Sequence, residues 1–273
     1  AHKLELQRRI ADLEKKQLWH LDVEDDPETY PLMPDMVDYL NEKLSSRIKN
    51  KIANIMGARF FDKMIANRQL IIKEVRGIEN FRAVEGGKIV TCNHFSVCDN
   101  YAVWVALRDF MGGKMLYKII REGNYTSFPG LYGYFFRHCN TIPIPSKSVA
   151  AREMMQAVGA LLNRGEKILV YPEQGMWWNY RKPKPLKSGA FDMAVKNHVP
   201  VVPCFITMRD TDKLGADGFP VQEYTPHLGA PIWPDESLPK SVAKEKLKQQ
   251  TEAFCNQVYE REYGAPPVYR RVG

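Results

Sequence analysis

At 273 residues the chain is long enough to bury a complete core, as one large domain or two small ones. Its 44% hydrophobic and 26% charged residues lie near the globular average, which excludes a disordered, collagenous or disulfide-built chain. A formal charge of +7 favours acidic partners such as anionic lipid headgroups or phosphorylated substrates. The lysines are dispersed, and no zinc-finger, basic-zipper or aromatic RNA-binding signature is present, so nucleic acid is not the expected partner.

The chain begins with two stretches of helical spacing. Residues 3–21 carry Leu6, Ile10 and Leu13, and residues 35–66 carry Val37, Leu40, Leu44, Ile48, Ile52, Ile55 and Met56. Between them DDPETYPLMP is rich in helix breakers. Two readings of these amphipathic stripes stay open. They pack on each other or on the rest of the protein, or one apolar face, ending near Arg59, Phe60, Phe61 and Lys63, lies on a lipid surface. No apolar run approaches the roughly 20 residues of a spanning helix, and no signal-peptide pattern is seen, so any membrane contact is expected to be peripheral.

From residue 70 the pattern changes. LIIKEV (70–75) and KIVTCN (88–93) read as strands and 97–111 as a helix. TIPIP (141–145) is extended, 149–164 helical, and KILVYP (167–172) a buried strand. A helix over 189–198, a strand over VPVVPCFIT (199–207) and a charged helix over 241–262 complete the series. Strands alternating with helices predict an α/β fold, a largely parallel central sheet flanked by helices and preceded by an N-terminal two-helix segment. The expected division is a helical segment at 1–69 and an α/β domain at 70–273. Five scattered cysteines without a CxxC pair fit reduced thiols in a cytoplasmic protein and give no expectation of a metal site.

One junction carries chemistry. In TCNHFSVCDNY (91–101), His94 stands five residues before Asp99, where a strand gives way to a helix. Ligands gather at such junctions of an open α/β sheet. A histidine there acts as a general base if a carboxylate fixes its tautomer. The plainer alternative is that Ser96 and Asp99 form an S-x-x-[DE] capping box and His94 is an ordinary loop residue.

Four ordered segments decide between them. Asn93, His94 and Asp99 match N-H-x-x-x-x-D, and VRGIENF (75–81) leads into it. YPEQG (171–175) is similar to F-P-E-G-T, and VPVVP (199–203), with Pro203, to a final apolar-proline motif. From about Leu70 to Thr207 the chain thus resembles the glycerolipid acyltransferase family typified by 1-acylglycerol-3-phosphate acyltransferases. The resemblance implies O-acyl transfer from acyl-CoA or acyl carrier protein to a hydroxyl of a lysophospholipid-like or other acceptor. His94 would be the general base, Asp99 its orienting partner, and backbone amides after Ser96 the oxyanion donors. No metal or cofactor beyond the thioester donor is implied, and the expected place of work is the inner face of a membrane. Asn93, Ser96 and Pro203 would support the motifs.

Two departures bear on the acceptor. The family's second motif ends in an arginine, where TIPIPSK has Ser146 followed by Lys147. In the third, Gln174 follows Glu173 and no arginine stands close by. The expected acceptor-side residues are therefore Glu173, Gln174, Gly175, Lys147, Arg181 and Lys184, with Lys182 and Lys187 as further sources of charge. Trp177 and Trp178 have two readings: they line an acyl or sugar surface or sit at a lipid interface, or, more plainly, one of them is core. The rings of Tyr132, Tyr134, Phe135 and Phe136 are expected to be partly core, or to border an acyl-chain groove. The competing class is a non-catalytic lipid-binding protein on the same scaffold; a hydrolase using water as acceptor is a weaker third.

Overall fold

Strands β2 (Lys88–Thr91), β5 (Lys167–Val170) and the first half of β6 (Val201–Leu214) are the continuous apolar runs of the sequence, and they lie side by side in the sheet centre. Successive strand residues point to opposite faces. Ile89, Ile168 and Val201 accordingly enter one core, while Val90, Leu169 and Val202 enter another. Both faces are covered, which is why these strands show no polar alternation.

The chain is described by a computed structural model over residues 2–25 and 28–270. Asp26 and Pro27, in the breaker-rich linker, lie outside the described residues. Seven strands form one sheet in the order β1-β7-β6-β2-β5-β3-β4, completed by β1 (Ile71–Ile72), β3 (Leu116–Arg121), β4 (Thr141–Ile144) and β7 (Pro220–Leu228). Strands β2 to β6 run parallel; β7 pairs antiparallel to β6 and carries β1 on its outer edge. The α/β architecture expected from the sequence is the one observed. The β6–β7 hairpin was not anticipated, because its outer half is exposed and polar and lacks the pattern of a buried strand.

Nine α-helices are present among the described residues: α1 (His2–Lys15), α2 (Leu44–Ala66), α3 (Ile78–Arg82), α4 (Asp99–Leu107), α5 (Glu122–Thr126), α6 (Gly130–His138), α7 (Ser148–Asn163), α8 (Gly189–Asn197) and α9 (Lys240–Tyr263). The first ends six residues earlier than its spacing suggests, since Gln17 takes a left-handed φ of 56° just beyond its end. The second starts nine residues late. Asp38 accepts the amides of Glu42 and Lys43 at 2.9 Å each, Asn41 is left-handed, and Val37 and Tyr39 are drawn into the core from a non-helical stretch.

The aromatic run forms α6, and none of Tyr132, Tyr134, Phe135 and Phe136 is fully buried. The helix turns Gly133 inward, where an added Cβ would meet the Phe128 carbonyl. Its large rings are therefore left on the sides and outer face.

Candidate active site

Register brings the two main motifs together. Parallel β2 and β5 are neighbours with Thr91 opposite Val170, so three residues beyond those ends His94 and Glu173 emerge abreast. On the other side of β2, Asn93 extends the pairing with its side chain. Its amide oxygen accepts the Ile206 N–H at 2.8 Å and its amide nitrogen donates to the Ile206 carbonyl at 3.0 Å. A buried side chain thus does what another backbone pair would do, pinning the loop before His94 to β6. Pro203 lies opposite Thr91 at the same level, and its carbonyl accepts the Gly229 amide at 2.8 Å.

His94 and Asp99 meet. The imidazole Nδ1 lies 2.7 Å from Asp99 Oδ2. A carboxylate can only accept, so Nδ1 carries the proton and Nε2 the lone pair. Nε2 has no partner among the described residues, and the side chain is 23% exposed while that of Asp99 is 1%. The same Oδ2 accepts the backbone amides of Phe95 at 3.0 Å and Ser96 at 3.2 Å. Ser96 Oγ accepts the Cys98 amide at 3.2 Å. Asp99 therefore ties down the loop entering α4 and contacts His94 at once, while the N-cap of α4 itself, Cys98, has no side-chain cap bond.

Tyr171 completes this cluster. Its hydroxyl donates to Asp99 Oδ1 at 2.7 Å, and its ring stacks on the imidazole with centroids 4.1 Å apart and planes 20° apart. Burial, then Asp99, pushes the phenol well above its ordinary value, so it stays a donor.

Glu173 faces inward. Its Oε2 accepts the backbone amide of His94 at 3.2 Å and its Oε1 that of Lys184 at 2.9 Å. The Lys184 ammonium stands 3.5 Å from the carboxylate, bonds the Gly175 carbonyl, and lies 4.9 Å from the Trp177 ring centre. Burial raises Glu173 and lowers Lys184, each opposed by the other's charge. This pair braces the floor of the site, joining the first motif to the loop after the third. Gly175 is required there, because a Cβ would come within 2.5 Å of the Leu21 carbonyl.

The N-terminal segment holds that loop. Leu6, Ile10 and Val23 form a cluster with Trp177 and Tyr180, and Trp19 stacks on Trp177 at 5.5 Å. The indole of Trp177 donates to Leu21 O at 2.7 Å, and Asp22 accepts the Met176 amide and pairs with Arg121. Glu14 takes the Lys182 ammonium and the Arg270 amide. Trp177 is fully buried and Trp178 only partly so, which is the plainer of the two readings, with one ring in the core.

The remaining acceptor-side residues are spread out. Arg181 turns to the β6–β7 hairpin, bonding Asp210 at 2.8 Å and Gln222 at 3.3 Å. Gln174 is exposed with a left-handed φ of 65°. Ser146 and Lys147 follow β4, the far edge strand, three strand spacings or on the order of 14 Å from β2. The Ser146 amide is taken by the buried carboxylate of Glu122 at 3.2 Å, and Lys147 is exposed. Glu122, Asp22 and Glu14 escaped sequence reasoning, since each acts through contacts distant in the chain. Among the described residues no His, Cys, Asp or Glu group of three or more could hold a metal ion.

A histidine–carboxylate pair thus stands at the strand ends of a largely parallel sheet, and comparison with known proteins gives the class of the protein. Residues 73–207 match the family model described as Acyltransferase, a span containing every motif segment above. The protein is an acyltransferase, and that segment belongs to the acyltransferase family. A solved structure similar to the chain is the 1-acyl-sn-glycerophosphate (LPA) acyltransferase PlsC from Thermotoga maritima. It is 22% identical, with 82% of this chain and 84% of that one covered and a TM-score of 0.48. No curated protein matches the sequence.

Proposed function

We propose that this acyltransferase moves a fatty acyl group from an acyl-CoA or acyl carrier protein thioester to a hydroxyl of a lysophospholipid-like acceptor at a membrane surface. The observation that carries the reading is the dyad, with Nδ1 committed to Asp99 at 2.7 Å and Nε2 unspent. Nε2 takes the proton as the acceptor oxygen attacks the thioester carbonyl, Asp99 offsets the charge gained by the ring, and the departing thiolate recovers the proton. No acyl-enzyme is needed. The amides of Phe95, Ser96 and Cys98 are already used, whereas that of Val97 has no partner among the described residues and is the proposed oxyanion donor of this loop. Lys147 and Gln174, exposed on either side, are the proposed acceptor contacts, with Glu173, Gly175 and Lys184 as the wall behind them and Arg181 at the outer rim.

The membrane part of the reading rests on α2. Leu44, Ile48, Ile52, Ile55, Met56 and Phe60 are exposed along one side of it, interleaved with Lys49, Arg59 and Lys63. An apolar stripe with basic residues on it suits an anionic lipid interface. Among the described residues no helix is long and apolar enough to cross a membrane, so the proposed attachment is from one side. The cytoplasmic face supplies CoA and carrier thioesters, and five free cysteines fit its reducing conditions.

Purified protein incubated with pooled acyl thioesters and a lipid extract should transfer acyl groups to an acceptor identifiable by mass spectrometry. His94→Ala should lower the rate by about 10²- to 10⁴-fold with the fold intact. Substantial transfer by that variant would remove His94 from the mechanism.

A further inference from the structure

We infer that Tyr171 is a positioning residue of this site, its ring fixing the plane of the His94 imidazole and its hydroxyl fixing the rotation of the Asp99 carboxylate. The inference rests on the proposed roles of that dyad and goes beyond them. Where the family motif has phenylalanine, this chain has tyrosine, so the ring belongs to the resemblance and the hydroxyl to this protein.

The argument starts from the carboxylate. Asp99 is 1% exposed, and its Oδ2 is shared by the imidazole and two backbone amides. Its Oδ1 has the Tyr171 hydroxyl, at 2.7 Å. A buried carboxylate oxygen without a donor is costly, and one with a single donor turns to meet it. The phenol thus sets the rotation about the Cβ–Cγ bond that aims Oδ2 at Nδ1.

The same side chain acts on the histidine. Its ring lies 4.1 Å from the imidazole, nearly parallel, and so opposes tilting of the base when Nε2 takes a proton. It also faces the ring when the ring becomes a cation, as a π-face that favours positive charge. One residue at the end of β5 therefore couples both members of a dyad that follows β2, and it does so because the two strands are parallel neighbours in register.

The hydroxyl has an electrostatic role with a definite sign. By donating to Oδ1 it takes part of the negative charge of Asp99, leaving less to hold the protonated imidazole. Without it the protonated form, which cannot act as base, persists to higher pH.

Tyr171→Phe keeps the ring and removes the hydroxyl; Tyr171→Leu removes both. With acyl thioester and acceptor supplied, Tyr171→Phe should lose about tenfold in kcat at little change in KM, and the acid limb of kcat/KM should move to higher pH. Tyr171→Leu should lose about 100-fold or more. Wild-type kcat in Tyr171→Phe overturns the inference. So does a slower enzyme with an unmoved acid limb, which is what a purely structural contact would give. If Tyr171→Leu fails to fold, Tyr171→Phe alone decides. His94→Ala measured alongside separates the two claims: activity surviving in it defeats the proposed function, whereas an inactive His94→Ala beside an unaltered Tyr171→Phe defeats only the role of Tyr171.

Discussion

Helices α1 and α2 open the chain with similar stripes of leucine and isoleucine, yet α1 buries its stripe while α2 leaves most of its own in solvent. In α1, Leu6 and Ile10 are closed over by Trp177, Tyr180 and Val23. In α2 the side turned inward carries Ala53, Gly57, Asn50 and Asn54, and the last two form an amide network with Asn140. Only near its end does α2 send large groups inward: Phe61 stacks on Tyr101 at 4.2 Å, and Met64 and Ile65 join the core. The difference teaches that an apolar stripe states a need for cover without saying what supplies it. For α1 the cover is the third-motif loop; for α2, in the function proposed above, it is lipid.

The largest expected effect comes from the exposed stripe. Exchanging Ile48, Ile52 and Ile55 for glutamate should weaken binding to anionic vesicles by at least about 100-fold, since each large side chain transferred from water contributes about 1.5–3 kcal/mol. Thermal stability should hardly change. Vesicle sedimentation and a melting curve on the same variant check both, and a large fall in Tm would mean that the stripe is covered by protein.

The mirror experiment is Leu6→Ala, which should cost about 2–4 kcal/mol of stability in denaturant unfolding. It should also lower acyl transfer by loosening Trp177 and Gly175, while vesicle binding per folded molecule stays the same. If α1 instead governs vesicle binding, the comparison between the helices is reversed. A smaller effect, about 1 kcal/mol, is expected from Glu14→Gln, which weakens the tie between α1 and Lys182.

A common baseline for these variants lies in the β6–β7 hairpin. There Arg261, which can only donate, approaches His227 Nδ1 at 3.0 Å, and Nε2 meets Thr207 Oγ1 at 2.9 Å. Burial is the main cause pulling His227 down to about 4 from its usual 6.5. The unfolded chain then takes up a proton before the folded one does. Stability is complete above pH 6.5 and is lost as pH falls from there toward 4, by about 1–2 kcal/mol once partial solvent screening is allowed for. His227→Gln should flatten that slope equally in wild type and in the α1 and α2 variants; unequal slopes would show that the helices couple to the hairpin.

Much of the sheet was legible because strands buried on both faces are written as unbroken apolar runs: KIVT, KILV and VVPCFI stand out from their surroundings. Strand β3 was missed because LYKIIR interrupts its run with Lys118, and β7 because Gln222, Thr225 and His227 are polar yet buried, so PVQEYTPHL shows no apolar run. His94 and Asp99 were legible as a pair because both belong to one local loop, with spacing that a turn into a helix makes meaningful. Tyr171, Glu122 and Asp22 were not, since a side chain's partner across 72, 24 or 154 residues leaves no local trace.

By itself, then, the sequence determined the layered α/β architecture, the order of the motifs and the pairing of His94 with Asp99, all of which depend on periodicity and short-range spacing. Only the tertiary structure decided which basic residues are used up internally. Lys184 goes to Glu173 and Arg181 to Asp210, because ion pairing depends on distances through space. It also decided that α1 is a brace and that α2 presents an open apolar face. Both carry leucine and isoleucine at steps of three and four, and what covers a helix is fixed by the surface that the rest of the chain brings to it.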